Sequence, residues 1–145
     1  MPTLLPNTID LVIRNDLQDL AILTEAMERI GTEHKIAPKT LKELHVVLDE
    51  VVSNVIRYAW PEGGKHEICV CIAVRAGEVK IEIVDDGVMF DPLTVRAPER
   101  PAPGQRPRHG GVGIHMMRQL VDTLEFARIG GRNHLTIRKR RVTKA

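Results

Sequence analysis

Two polar residues, Glu50 and Asn54, stand beside the apolar stripe of the longest helical pattern in the sequence, residues 41–60. Because residues four apart lie one above the other on a helix, both side chains fall at the margin of that stripe. A side chain there can be held by packing and still reach a cavity, so we place candidate chemistry at this margin. The alternative is that the pair is only the solvated edge of a buried helix. The stripe itself consists of Leu44, Leu48, Val51, Val52, Val55 and Ala59, widened by Leu41, Val47 and Ile56.

A third candidate, Asp85, comes directly after a strand pattern. Residues 66–74 and 78–84 are two β-patterned runs separated by a short glycine-containing turn, which predicts an antiparallel hairpin. The second run leads straight into Asp85-Asp86-Gly87, so a carboxylate is expected at a strand end where the chain turns sharply. For Asp86 we favour the simpler interpretation of a solvent-facing turn acid.

A glycine-rich segment, Gly110-Gly111-Val112-Gly113, precedes the last helical pattern of the sequence. Glycines that open a helix let the backbone approach an anion, and the first N–H groups of the helix supply hydrogen-bond donors. An anion site is therefore one interpretation of this segment. A plain loop-to-helix junction explains it as well.

The elements that must position these residues occur in the order β-α-α-β-β-lid-α-β-β. Alternation over Thr8–Arg14 predicts the first strand, Asn15 is expected to cap the next helix, and Gly31 is expected to end it. Pro38 fits the first turn of the central helix. A closing hairpin is expected about the turn Gly130-Gly131-Arg132-Asn133.

A proline- and arginine-rich segment, residues 88–113, separates the two halves of this order and is expected to form a lid. The order as a whole predicts an α+β fold. In this two-layer α/β sandwich, a mixed, mostly antiparallel sheet carries the helices on one face. With 145 residues the chain is expected to form a single domain, 1–145.

Composition narrows the function classes. Acids and bases are interspersed and the net charge is only +2, which does not indicate a nucleic-acid surface. No run approaches the ~20 apolar residues of a membrane span, and the first residues do not read as a secretory signal, so we expect a soluble, cytoplasmic protein. Cys69 and Cys71 are expected to pack in the core rather than to form a disulfide. The six histidines lack zinc-site spacing, and we predict no transition-metal site.

Three separated stretches together resemble the GHKL, or Bergerat-fold, ATPases. Residues 50–54 (EVVSN) resemble the N-box, residues 85–92 (DDGVMFDP) the first glycine box, and residues 110–115 (GGVGIH) the second glycine box. Within this superfamily the chain resembles the stand-alone anti-sigma-factor type of serine/threonine protein kinase, including an Asn-x-Leu-like element at Asn133-His134-Leu135. The order and spacing of the boxes carry the resemblance, which covers roughly residues 8–139.

The resemblance implies a role for each candidate residue. Asn54 is expected to bind Mg²⁺ at the phosphates of ATP, and Glu50 to act as the general base toward a serine or threonine hydroxyl. Asp85 is expected to accept a hydrogen bond from the adenine amino group, with Gly87 letting the chain pass close to the base. The phosphate side of the site is expected to be formed by Gly110, Gly111, Val112 and Gly113.

The resemblance also implies a function and partners. It suggests an ATP- and Mg²⁺-dependent kinase that phosphorylates an antagonist protein and sequesters a sigma factor, and that forms a homodimer. One alternative is a module that binds a partner under the control of ATP without transferring phosphate. Another is an ATPase domain detached from a histidine kinase, which is less favoured because the sequence lacks a dimerising phospho-acceptor helix.

Overall fold

The computed structural model describes residues 7–89 and 114–141, and the structural statements below concern these residues. Their elements follow the predicted order. A single 3₁₀ turn, Leu17–Asp19, precedes the first helix. The strands and helices are β1 (Thr8–Arg14), α1 (Leu20–Glu33), α2 (Pro38–Tyr58), β2 (Glu67–Val74), β3 (Glu78–Asp85), α3 (Ile114–Leu120), β4 (Thr123–Ile129) and β5 (Arg132–Arg140).

The five strands form one open sheet in the order β1-β2-β3-β5-β4. Every pairing in it is antiparallel, so the sheet is less mixed than the sequence suggested. One face is buried against the helices, as the alternation along β3 shows: Val79, Ile81, Ile83 and Asp85 are buried, and the residues between them are partly exposed. This arrangement confirms the predicted two-layer α+β fold.

The central helix α2 forms the middle of the core. Pro38 occupies its first turn as predicted, where the missing proline N–H costs no hydrogen bond. The predicted stripe is buried along its length, since Leu44, Leu48 and Ala59 have no exposed surface. The end of this helix leads into the loop beside the candidate site, so the packing of the stripe fixes where that loop begins.

Two local predictions in the first third of the chain were wrong. Asp16, not Asn15, caps the 3₁₀ turn, by accepting a hydrogen bond from the Gln18 N–H. Asn15 instead donates to the Gly64 carbonyl and accepts from the His66 N–H, which ties the end of β1 to the start of β2. The Asn15 side chain therefore bonds to residues distant in sequence and does not cap the following turn.

Gly31 does not end α1, which continues to Glu33. A Cβ atom at Gly31 would stand 2.4 Å from Cδ2 of Leu41 on α2. Gly31 therefore leaves room for the Leu41 side chain where α1 packs against α2, and only the tertiary packing reveals this need.

The prediction of buried cysteines was also wrong. The side chains of Cys69 and Cys71 point to the same face of β2, but that face is the one without helices, so Cys69 is exposed and Cys71 half-buried. Burial and the nearby carboxylate of Asp10 raise the pKa of the Cys71 thiol to about 11.

Candidate functional site

Asp85 is the last residue of β3 and is 5% exposed, with its side chain on the buried face of the sheet. Its Oδ1 atom accepts two hydrogen bonds, from the Gly87 N–H at 2.9 Å and from Asn133 Nδ2 at 2.9 Å. No described residue donates to Oδ2. One oxygen of this carboxylate is thus fixed by the protein while the other can accept a hydrogen bond from a ligand.

Asn133 and Arg128 hold the chain on either side of Gly87. Asn133 Nδ2 also donates to the Val88 carbonyl at 2.8 Å. Arg128 Nη1 donates to Asn133 Oδ1 at 2.9 Å and to the Gly87 carbonyl at 2.8 Å. The last hairpin, β4 and β5, therefore clamps the turn that follows β3.

Arg128 belongs to none of the motifs noticed in the sequence. The hairpin turn consists of Gly130 and Gly131 alone, and both have positive φ, so Arg128 pairs directly with Asn133. The sequence had predicted a four-residue turn here. Counting outward from a two-residue glycine turn would have set Arg128 opposite Asn133, on the same face of the sheet.

Gly87 is required by its contact with the end of α2. The Val88 N–H donates to the Ala59 carbonyl at 2.8 Å. A Cβ atom on Gly87 would stand 2.5 Å from that carbonyl oxygen and 2.6 Å from the Ala59 Cβ. A close approach of backbone to backbone thus joins the helix that carries Glu50 and Asn54 to the turn that carries Asp85.

Asn54 and Glu50 lie on the flank of α2 that faces α3. Glu43, which has the same helical orientation, is 3.4 Å from Lys139 Nζ, and this ammonium group also donates to the carbonyl of Leu120 at the end of α3. Asn54 precedes Ala59 by five residues, which is about 7.5 Å along a helix axis. Asn54 and the Asp85 turn therefore lie near the same end of the helix layer, and Glu50 lies one helical turn farther from it.

The side chains of Glu50 and Asn54 have polar atoms to offer a ligand. The Glu50 Oε2 atom is buried and has no hydrogen-bond partner among the described residues. The side chain of Asn54, which is 9% exposed, carries an amide oxygen one helical turn away. Buried polar atoms are nearly always paired, so these two side chains fit a ligand with donors or a hard cation, such as a Mg²⁺-bound triphosphate.

The remaining predicted positions are distributed as follows. Asp86 is exposed, which confirms its interpretation as a turn acid, and Val88 and Met89 at the beginning of the predicted lid are exposed as well. The rest of that lid, with Gly110, Gly111, Val112 and Gly113, lies outside the described residues. Helix α3 begins at Ile114, directly after those glycines, as the sequence predicted.

Burial raises the pKa of the Asp85 carboxyl above its ordinary value. The hydrogen bonds from Asn133 and from the Gly87 N–H oppose this rise, Asp86 adds to it, and the Arg128 charge again opposes it. The carboxylate is consequently held in a position that disfavours its charge, as is common for groups kept for binding a ligand.

The two-layer fold and the arrangement of its motifs define a histidine kinase-like ATPase domain. The chain belongs to that family, whose model matches residues 13–139. In the part of the chain that the structure covers, no helix combines the length and apolar character needed to cross a membrane.

Individual relatives are protein kinases by name. The chain is 26% identical over 111 residues to the serine/threonine-protein kinase BtrW of Bordetella bronchiseptica, a match that covers 77% of this chain and 78% of that protein. It is 21% identical over 122 residues to the serine-protein kinase RsbW of Bacillus cereus, with 81% and 76% covered.

A solved structure supports the fold. A crystal structure of the RsbU and RsbW domains of a Mycobacterium tuberculosis protein matches this chain with a TM-score of 0.67 at 15% sequence identity. The match covers 95% of this chain and 33% of that one, so this chain spans about a third of its length.

The Gly87 contact gives a prediction with a matched control. Gly87→Ala forces a methyl group against the Ala59 carbonyl and is expected to destabilise the fold by about 1–3 kcal/mol. Gly77→Ala, in another turn where nothing lies within 4 Å of the added atom, should change stability little. Urea unfolding of the two variants measures both effects, and equal stabilities would show that the close approach at Gly87 is not needed.

The pKa of Asp85 gives a pH-dependent prediction. Because this pKa is higher in the folded state than in the unfolded chain, the carboxyl favours folding below the unfolded value of about 3.9, and this contribution is lost as pH rises through the folded value. Asp85→Asn, whose amide oxygen can still accept from Gly87 and Asn133, does not titrate.

The melting temperature of Asp85→Asn relative to the natural protein should therefore increase between about pH 4 and about pH 7. Thermal unfolding without nucleotide at several pH values measures the difference. Asp86→Asn, at the exposed neighbouring acid, is the control. A difference that stays constant with pH would contradict a raised pKa.

Proposed function

We propose that this protein is an ATP- and Mg²⁺-dependent serine/threonine protein kinase that acts in the cytoplasm, phosphorylates an antagonist protein and sequesters a sigma factor. The observation that carries the proposal is a pair of carboxylates with oxygens left to bind a ligand. Asp85, in the turn beside the end of α2, has one uncommitted oxygen, and Glu50, on α2 itself, has a buried oxygen without a partner among the described residues. The family membership and the names of the relatives support the same activity.

Asp85 would recognise the base of ATP. Its Oδ1 is occupied by two N–H groups, so Oδ2 accepts a hydrogen bond from the adenine amino group. A carboxylate acceptor would be left facing the carbonyl oxygen of guanine, which offers no donor at that place. Adenine is therefore selected over guanine by the cost of leaving buried acceptors unpaired.

Asn54 and Glu50 would act at the triphosphate. The amide oxygen of Asn54 is a hard ligand suited to Mg²⁺, which when bound would neutralise charge on the phosphates. Glu50, one turn earlier on the same flank, accepts the proton of the serine or threonine hydroxyl as that oxygen bonds to the γ-phosphorus. The bond from that phosphorus to the bridging oxygen breaks, and ADP leaves with the electron pair.

Sequestration follows from exchange of partners. In this scheme phosphate on the antagonist weakens its binding, and the kinase is left to hold the sigma factor. Segment 88–113, which includes the exposed Val88 and Met89 at its beginning, would close over the nucleotide, with Gly110, Gly111, Val112 and Gly113 at the phosphates.

The role of Glu50 is tested by phosphotransfer. Glu50→Gln should lower the transfer of labelled phosphate from ATP to a candidate antagonist by about 10²–10⁴-fold, because the base is lost while the shape of the side chain is kept. ATP affinity should change by less than about threefold. Acid-stable label on serine or threonine is the measurement.

Asp49→Asn is the matched control for this variant. Asp49 is the neighbouring carboxylate on α2, but it points to the other flank, where its Oδ2 is 3.4 Å from His45 Nε2. Tight ATP binding by the natural protein without any transfer would support a module that binds a partner under control of ATP and would reject the kinase.

The role of Asn54 is tested by the dependence of ATP binding on Mg²⁺. Asn54→Ala should weaken ATP binding in Mg²⁺ by about tenfold or more and leave binding in excess chelator unchanged, since only the metal-bound complex uses the amide. Calorimetry in the two conditions measures this, and binding in chelator is the control for the fold of the variant. Unchanged affinity in Mg²⁺ would reject the metal assignment.

A further inference from the structure

We propose that Arg128 is a specificity-determining positioning residue, which fixes the amide of Asn133 and thereby presents Asp85 to the purine as a hydrogen-bond acceptor. The inference rests on the proposed recognition of adenine by Asp85. It adds to that recognition a residue of β4 that lies outside the N-box and both glycine boxes.

The orientation of the Asn133 amide decides what Asp85 meets. The two ends of an asparagine amide have nearly the same shape, but the oxygen only accepts hydrogen bonds and the nitrogen only donates them. Arg128 Nη1 lies 2.9 Å from Asn133 Oδ1, and arginine has donors only. Arg128 therefore requires the amide oxygen on its own side and turns the NH₂ group toward Asp85.

The surroundings of the NH₂ group agree with this orientation. Nδ2 is 2.9 Å from Asp85 Oδ1 and 2.8 Å from the Val88 carbonyl, and both of these partners are acceptors. In the opposite orientation the amide oxygen would face two acceptors and the amide nitrogen would face a guanidinium group. Such a flip would replace three favourable contacts with repulsive ones.

With the Asn133 amide fixed, Asp85 can act toward a purine base only as a hydrogen-bond acceptor. Oδ1 is filled by Asn133 and by the Gly87 N–H, so Oδ2 alone is available as an acceptor. Arg128 also donates to the Gly87 carbonyl at 2.8 Å, which holds the turn in the conformation that provides this N–H. The arrangement selects a purine with a donor at position 6.

The charge of Arg128 also favours Asp85 as an acceptor. The charged groups that act on Asp85 are Asp86, which disfavours its ionised form, and Arg128, which favours it. The guanidinium group therefore supports the ionised carboxylate, which can only accept hydrogen bonds.

The position of Arg128 makes the inference testable apart from folding. Arg128 is an exposed residue on β4, which is an edge strand, and its removal opens no cavity in the core. A variant is therefore expected to stay folded, and any general loss of stability would weaken the binding of all nucleotides alike. Only the positioning of Asp85 predicts a change in the ratio between nucleotides.

The probes are ATP and purine riboside triphosphate, which differ only by the 6-amino group, titrated calorimetrically into the full chain with Mg²⁺. The natural protein should bind ATP more tightly by about tenfold to a hundredfold, as for one hydrogen bond to a charged acceptor. Arg128→Met should reduce this ratio to within about threefold. Arg128→Lys, which keeps the charge and three donors, should restore part of it.

The matched control is Arg140→Met, an exposed arginine at the far end of the same hairpin, where it pairs with Glu78 at the start of β3. It should keep the ratio of the natural protein. In an Asn133→Ala background, Arg128→Met should have little further effect, because the two residues act in one chain of contacts.

An unchanged ratio in Arg128→Met, while Asp85→Asn loses it, would overturn the inference and leave the recognition of adenine by Asp85 standing. If the natural protein does not distinguish the two probes, or Asp85→Asn distinguishes them equally well, the assignment of Asp85 fails and the inference fails with it. Loss of the ratio in Arg140→Met as well would also overturn a specific role for Arg128.

Discussion

The approach of Gly87 to the Ala59 carbonyl is the contact on which the candidate site depends. It joins the end of α2 to the end of β3, and the Val88 N–H closes it with a hydrogen bond of 2.8 Å. Helix α2 is fixed in the core by a fully buried stripe, and β3 is fixed in the middle of the sheet. Two rigid elements thus meet backbone to backbone, which fixes the turn after β3 relative to the helix, and the last hairpin holds the polar residues of that turn.

The site keeps polar groups in places that do not favour them. Burial raises the pKa of Asp85, and Glu50 has a buried oxygen without a partner among the described residues. Each arrangement costs the folded protein stability that an apolar residue would not cost. Such costs are expected where a ligand completes the hydrogen bonds, so both carboxylates are candidates for ligand binding.

One face of the open sheet holds the core together with Asp85, Asn133 and Arg128. Asp85 on β3 pairs with Asn133 on β5, which pairs with Arg128 on β4, so the last hairpin holds the turn at Gly87 from the neighbouring strands. β5 lies next to β3 although the two strands are far apart in sequence. Asn133, which follows the predicted lid, therefore acts on the same turn as Asp85, which precedes it.

The sequence by itself determined the order of elements, the buried stripe of α2, Pro38 in its first turn, and the strand end at Asp85, because these depend on periodicity and on local backbone chemistry. It also supplied the motifs that predicted the family, and the match to the family model confirmed that prediction. The contacts of Asn15, Gly31 and Arg128 depended on segments distant along the chain, and so did the choice of which face of β2 is left uncovered. Those features were decided by the tertiary structure, since hydrogen bonds and close approaches between distant segments exist only once the layers have packed.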